Sequence, residues 1–385
     1  MKKIIGILST PHFEESDING ACGGSETWAI RLSQEFERSG CHVIIFREGE
    51  DYTYSPTGVE YVPLEFMDFK LQTQHFDTFI FSRNIDFEIY DKIIKYECAD
   101  KIYVQAHEIY VWKNGIYNER FDYENDFAHV SKIEKFIALS DFHKSALTYY
   151  CGIPADKISI IGNGCDTDVF WDNYNDEYAL NDCKDRGSII WSSCFGRGAD
   201  ILIDDILPII HRKWPQFKVK ICGYVDVVPD KYKNRPDVEL IGFNLTKKQY
   251  YDALCGTCCW FYPCVTGETF NISALDAVIN NLDVVSPMLH GMEHTFGPFR
   301  VFGMQNKFGS GETKDKNYDW GSYQTDKNSD EYKRACQEAA DMIIDFVTNY
   351  EKPERVKIRT ALKNYILENY TWAHVVEKWK KELNW

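Results

Sequence analysis

The sequence predicts an α/β protein made of two doubly wound, Rossmann-like domains. Three observations carry this. Short apolar runs of strand length alternate with amphipathic segments of helix length through the first half of the chain. The same alternation restarts at Ser188. The 385 residues, 44% of them hydrophobic, supply enough apolar material for two cores.

The first domain is expected over 1–173. A strand over 4–8, a helix over 26–39 and a strand over 42–46 form a β-α-β unit. Trp28, Ala29, Leu32 and Phe36 fall on one face of that helix, and Gly40 stands just past its end, where a left-handed residue is easily accommodated. Further strands are expected over 78–81, 101–105, 136–139 and 159–161. The polar, acidic stretch 174–187 lacks periodicity and reads as the linker.

The second domain is expected over 188–365. It opens with a strand over 188–191 and a helix over 199–213, which sets Leu202, Ile203, Ile206, Leu207 and Ile210 on one face and is predicted to kink at Pro208. Strands over 218–222, 238–242 and 258–263 follow, and Asn271 is placed to cap a helix from 272 to about 280. Residues 293–323 are rich in glycine and aromatics without a clear period, and no element is assigned there. Residues 366–385 are read as a closing helix, with Trp372, Val375, Val376, Trp379 and Leu383 as its apolar stripe.

The formal net charge of −16 disfavours a standing nucleic-acid partner, whose phosphates are recognised largely by basic residues. No apolar run approaches the roughly 18 residues of a transmembrane helix, and the run 4–8 is shorter than the core of a secretory leader. Thirteen cysteines, an odd number without a small-domain framework, suit a reducing compartment, so a cytoplasmic protein is expected. Cys255, Cys258, Cys259 and Cys264 are dense enough to suggest zinc. However, adjacent residues of a strand point to opposite faces, so Cys258 and Cys259 do not readily share one tetrahedral ion, and no metal is expected.

The chemistry concentrates around Glu268 and Asp276, eight residues apart across the start of a helix. A strand's carboxyl end feeding a helix N-terminus is where open α/β sheets bind ligands, and the unpaired N–H groups of the first turn suit a phosphate. Glu268 precedes the helix and would reach past such a phosphate, while Asp276 lies inside it and can accept from hydroxyls. Without further context the same acids read as a solvated loop acid and an ordinary helix acid.

Here the sequence resembles the retaining glycosyltransferases of the GT-B fold, family 4 type, which carry Glu-x7-Glu at this place. The second acid is Asp276 in this chain. The resemblance implies that Glu268 contacts the donor sugar and Asp276 the ribose; Thr269, Phe270, Asn271, Ile272 and Ser273 are expected to bind the donor, with the N–H groups near 271–273 toward its diphosphate. Arg197-Gly198 resembles the family's basic residue and glycine against that diphosphate, and Arg suits it because its planar fork donates parallel bonds. Many members have a second basic residue where this chain has Ser192. The run Ser192-Ser193 through Arg197-Gly198 matches a subset with a Ser-Ser...Arg-Gly pattern, which adds Ser193 to the donor side.

In the first domain, Gly23-Gly24-Ser25-Glu26 follows a strand and a loop and opens a helix, as the family's first domain does, which places Gly23 and Gly24 at the donor. His107 ends a strand where the family carries a histidine beside the reacting sugar, and Arg83 and Asn84 are acceptor-side candidates. Asn163-Gly164-Cys165-Asp166 resembles the run that closes the family's first sheet and reads as a fold marker. The resemblance further implies a GT-B architecture of two domains facing a cleft, with the last helix crossing back to the first domain.

The implied activity is metal-independent retaining transfer from a nucleotide-diphosphate sugar to a hydroxyl of a glycan or other acceptor, with no cofactor beyond the donor. A lipid-linked acceptor would bring peripheral membrane contact, for which Trp379-Lys380-Lys381 is the nearest basic amphipathic stretch. Three alternatives stay open. A nucleotide-sugar epimerase fits the same fold. A non-catalytic pseudo-transferase fits the departures at Asp276 and Ser192. A glycoside hydrolase also uses paired carboxylates, but these stand roughly 5–9.5 Å apart, whereas eight helical residues rise about 12 Å.

Overall fold

The computed structural model describes residues 2–10, 12–20, 22–112, 127–167, 184–223, 228–265, 267–308 and 326–385. The expected linker up to residue 183 and the part of the glycine- and aromatic-rich run 293–323 beyond residue 308 therefore lie outside the described residues. Unit 1 holds Met1–Ile18, Cys22–Gly164 and Trp372–Trp385, and unit 2 holds Asn19–Ala21 and Cys165–Thr371.

Unit 1 contains β1 (Ile4–Leu8), α1 (Gly24–Arg38), β2 (His42–Arg47), β3 (Thr53–Tyr54), β4 (Glu60–Pro63), α2 (Met67–Thr73), β5 (Thr78–Ser82), α3 (Phe87–Tyr96), β6 (Ile102–Gln105), β7 (Ile133–Ala138), α4 (Asp141–Cys151) and β8 (Ile158–Ile160). The sheet runs β3-β4-β2-β1-β5-β6-β7-β8 and is parallel throughout except at its edge, where β3 pairs antiparallel with β4. Its central strands are continuous apolar runs because helices cover both faces. Trp28, Ala29, Leu32 and Phe36 of α1 are fully buried, and Gly40 takes φ +90°, as its place after the helix predicts. The short strands β3 and β4 were not legible: Glu60 and Pro63 interrupt the apolar pattern of β4.

Unit 2 contains β9 (Ser188–Trp191), α5 (Leu207–His211), β10 (Lys218–Gly223), α6 (Asp230–Lys233), β11 (Val238–Phe243), α7 (Lys247–Cys255), β12 (Cys259–Phe261), α8 (Ile272–Ile279), β13 (Asp283–Val285), α9 (Gly291–Phe296), α10 (Asp330–Thr348) and α11 (Pro353–Asn369). Its sheet is wholly parallel, in the order β11-β10-β9-β12-β13. The order reverses between β9 and β12. The helix expected over 199–213 is two pieces, π-helical Ile201–Ile206 followed by α5, because Pro208 has no N–H to return to the preceding turn and its ring crowds that turn's carbonyl.

The chain ends in α12 (Trp372–Leu383), which belongs to unit 1. Its predicted stripe is buried, and the Trp379 ring lies 6.3 Å from Trp28 and 6.0 Å from Tyr103. Lys101 Nζ donates to Leu383 O at 2.7 Å, holding the helix end against β6. The helix begins at Trp372 rather than near 366, since Asn369 closes α11 in unit 2. Among the described residues no helix is long and apolar enough to cross a membrane.

Candidate active site

The reversal between β9 and β12 leaves a crevice at the strands' carboxyl ends, which is the ligand-binding position of open parallel sheets. The segments leaving these two strands carry Arg197 and Glu268. Arg197 closes a turn of 3-10 helix (Phe195–Arg197), and Gly198 follows with φ +110°. A Cβ on Gly198 would stand 2.6 Å from Pro263 Cγ, so glycine is required both by the backbone angle and by the close approach of the two loops. That approach sets the Arg197 guanidinium 3.5 Å from Glu268 Oε2. Tyr262, just past β12, donates its hydroxyl to the same oxygen at 2.8 Å. The Glu268 carbonyl accepts from Gly291 N at 2.8 Å, where a side chain would strike Thr269. The Glu268 carboxylate thus meets groups from two separate segments, and a third holds its backbone.

Asn271 caps α8 as predicted, its Oδ1 accepting from Ala274 N at 2.9 Å. Thr269, Phe270 and Asn271 are buried, while Ile272 and Ser273 remain partly exposed at the helix start. Ser192 is buried, its Oγ accepting from Trp260 Nε1 at 2.7 Å and from the Tyr250 hydroxyl at 3.4 Å. Ser193 uses its carbonyl to accept from Trp191 Nε1 at 3.0 Å. Both serines therefore brace the end of β9.

Asp276 lies inside α8, as expected, and has partners within the chain. It is only 2% exposed, and both its oxygens are engaged within the chain: Oδ1 accepts from the Tyr251 hydroxyl at 2.8 Å and Oδ2 meets Lys247 Nζ at 3.0 Å. Asp166 Oδ2 stands 3.9 Å from the same ammonium, so Asp166 belongs to this buried charge cluster besides marking the fold. Burial pushes the Asp276 carboxyl above its ordinary range, against the pull of Lys247 and Tyr251.

In unit 1 the candidates also gather at the carboxyl ends of strands, after β1, β5 and β6. His107 is buried, its Nε2 lying 3.2 Å from Ser82 Oγ and its ring packed edge-on against Trp28 at 5.2 Å. Burial, with Arg83 and His143 nearby, holds its pKa well below the usual histidine value, so it is a neutral imidazole. Arg83 takes φ +73° and approaches Glu26 Oε1 at 3.8 Å. The space in front of Gly23 is filled by Glu26: a Cβ there would lie 2.3 Å from Glu26 Oε2, which also accepts from Ser25 Oγ at 3.0 Å. The anion at the start of α1 is the chain's own carboxylate. Asn84 follows Arg83, with its N–H bonded to Ser82 O at 3.1 Å.

No family model and no curated protein matches the sequence. Solved structures do match. The chain is similar to a glycosyltransferase from Rickettsia africae ESF-5 over 100% of this chain and 98% of that one, at 12% identity and a TM-score of 0.69. It is similar to Anabaena HepE in complex with UDP and glucose over 100% of both chains, at 14% identity and a TM-score of 0.63. A sucrose-phosphate synthase from Thermosynechococcus elongatus aligns over 100% of this chain and 98% of its own, at 12% identity and a TM-score of 0.65. The chain has the GT-B fold.

Of the residues expected in the donor half of this GT-B chain, the structure brings Arg197 and Glu268 together and sets Asn271 at the helix start. Asp276 lies in a buried cluster with Tyr251 and Lys247. Sequence reasoning missed Tyr262, Lys247, Tyr251 and Glu26. Lys247 follows Thr246, which forms a capping box with Gln249, so its helix start was readable but its anionic partner was not. Tyr262 stood in view within the apolar run 258–263 and read as core. Among the described residues no group of three or more histidine, cysteine, aspartate or glutamate side chains is arranged to hold a metal ion.

Proposed function

We propose that this GT-B chain moves a sugar from a nucleotide-diphosphate sugar to a hydroxyl of a glycan or other acceptor, with retention at the anomeric carbon. The observation that carries the reading is the Arg197–Glu268 approach at the switch point of unit 2. The solved structure of HepE with UDP and glucose, which shares the fold, supports a nucleotide-sugar donor. Retention is what the resemblance around Glu268 and Asp276 implies.

In this reading Arg197 and the first N–H groups of α8 neutralise the charge that grows on the diphosphate as the bond from the sugar to the phosphate oxygen breaks. They do the work that a divalent cation would otherwise do. Glu268, fixed by Tyr262 and Gly291, holds the donor sugar. Asp276 serves the ribose side by anchoring Lys247 and Tyr251. The acceptor oxygen bonds to the anomeric carbon, and its proton leaves with the diphosphate. In unit 1, Gly23 and Gly24 are assigned to phosphate, once Glu26 yields its space. Neutral His107 is assigned a catalytic place beside the reacting sugar and acceptor, and Arg83 and Asn84 are assigned to the acceptor side.

The test is release of nucleoside diphosphate from UDP-, GDP- and ADP-sugars in the presence of acceptor oligosaccharides, with nuclear magnetic resonance of the product's anomeric proton. Acceptor-dependent release, retained configuration and its loss in Glu268→Gln are expected. Conversion of the donor sugar without acceptor would instead make the protein an epimerase, and no turnover of any donor would leave a pseudo-transferase.

A further inference from the structure

The far edge of the unit 1 sheet carries an exposed aromatic patch that the catalytic assignment does not use. Four of the seven exposed large hydrophobic side chains among the described residues gather there: Tyr52, Tyr54, Phe66 and Phe69. Tyr54 and Phe69 are 65% and 66% exposed. The Tyr52 ring stands 5.9 Å from Tyr54 and 6.3 Å from Phe66, and Phe69 follows Phe66 by one helical turn into α2. A contiguous apolar patch on an otherwise charged surface marks an interaction site.

Its position connects it with the acceptor-side residues. Because β3 runs antiparallel to β4, Tyr52 lies on the side where β4 ends, and Phe66 follows that same end. This is the carboxyl end of the sheet, the end at which Gly23, Arg83 and His107 follow β1, β5 and β6. Three and four strand steps, roughly 14 and 19 Å at the usual spacing, separate β4 from β5 and β6, and the first of them leads to β2. Exposed Glu48, Glu50 and Asp51 follow the end of β2.

The surrounding charge selects the occupant. Exposed acids rim the patch, Glu65 among them, and Lys70, the one basic residue in the segment 48–70, pairs with Glu60 and stands over the Tyr52 ring at 5.5 Å. Anionic lipid headgroups and acidic polymers are repelled by such a rim. A neutral sugar is not: its C–H face packs on an aromatic face, whose quadrupole is negative, while its hydroxyls donate to carboxylates.

We infer that this patch is a subsite for a neutral oligosaccharide, and that the acceptor is an extended glycan reaching from the acceptor-side residues to the edge of the sheet. The inference rests on the proposed transfer for the word acceptor, while the subsite itself stands on the patch.

The experiment uses the full chain and a Tyr54→Ser/Phe69→Ser double variant on an array of immobilised neutral and anionic oligosaccharides. Both substituted rings are exposed, so the thermal midpoint should be unchanged. The wild type should retain neutral oligosaccharides, and the variant should retain them about tenfold less, the effect of losing two stacking faces. The thermal shift given by nucleotide sugars should be equal in both proteins. Equal retention by the variant, or no neutral oligosaccharide retained by the wild type, overturns the subsite. So does wild-type binding to phosphatidylcholine/phosphatidylglycerol vesicles that the variant loses, which would assign the patch to a membrane. Patch-dependent retention without any nucleotide-sugar shift in the wild type would uphold the subsite and defeat the transfer reading.

Discussion

Lys247 Nζ stands 3.0 Å from Asp276 Oδ2, joining the first residue of α7 to the interior of α8. A cation at a helix start is opposed by the helix dipole, so the pair, rather than α7 itself, accounts for the lysine. Removing one partner of a buried pair leaves the other charge uncompensated. Asp276→Ala should therefore lower the unfolding free energy by about 3–5 kcal/mol, read from urea unfolding at neutral pH. An unchanged urea midpoint would show that the pair does not hold the two helices together.

Gly198 should not tolerate a side chain. With φ at +110° and Pro263 Cγ 2.6 Å from the built Cβ, Gly198→Ala strains the backbone and displaces the turn that carries Arg197. The cost is about 1–3 kcal/mol, visible as a lowered thermal midpoint, and nucleotide-sugar binding should weaken with it. Gly196, where a Cβ meets nothing within 4 Å, is the control whose alanine variant should keep both properties.

Tyr262 fixes the orientation of Glu268 through a single hydrogen bond of 2.8 Å. Hydrogen bonds to charged groups contribute about 1.5–3 kcal/mol, so Tyr262→Phe should slow transfer roughly ten- to a hundredfold. Because the ring and its packing remain, the dissociation constant for nucleoside diphosphate should be unchanged. A variant that loses nucleotide affinity and rate together would place Tyr262 at the nucleotide instead.

Acid should destabilise unit 1 through its buried imidazoles. His143 Nδ1 accepts from Leu139 N at 3.1 Å, so its Nε2 carries the hydrogen that reaches Glu108 O at 2.8 Å. Protonating Nδ1 sets two donors against each other, and burial lowers this histidine's pKa from 6.5 to about 4. The unfolded chain thus binds the proton more tightly. Stability from this group is complete above pH 6.5 and declines as the pH falls toward 4, by about 3 kcal/mol in all. His107 shifts in the same direction. Urea midpoints across that range should fall for the wild type and fall less for His143→Gln. A flat wild-type profile would contradict the assignment.

Much of the fold was readable because its signals are local. Strands 4–8 and 188–191 coincide with β1 and β9, since runs of branched apolar residues between polar turns admit little else. Asn271 at the start of α8 and Gly40 after α1 are backbone requirements that one residue meets. Pro208 announced an irregular helix but not its π-helical form, which depends on how the preceding turn relaxes. The candidate site was legible where geometry follows chain position, as in the approach of Arg197 to Glu268 past the ends of β9 and β12. It was not legible where a long-range partner decides the role. Nothing near Asp276 in sequence shows that Lys247, 29 residues earlier, occupies its carboxylate, or that Glu26 folds back over Gly23.

The most direct measurement is thermal unfolding against a panel of UDP-, GDP- and ADP-sugars, with Arg197→Ala beside the wild type. Binding to the native state alone adds about 2.7 kcal/mol of stability at a hundredfold excess over the dissociation constant. The donor site predicts that one nucleotide class raises the wild-type midpoint and that Arg197→Ala loses most of the rise. No rise with any nucleotide sugar, or an equal rise in both proteins, would contradict a donor site built on Arg197 and Glu268.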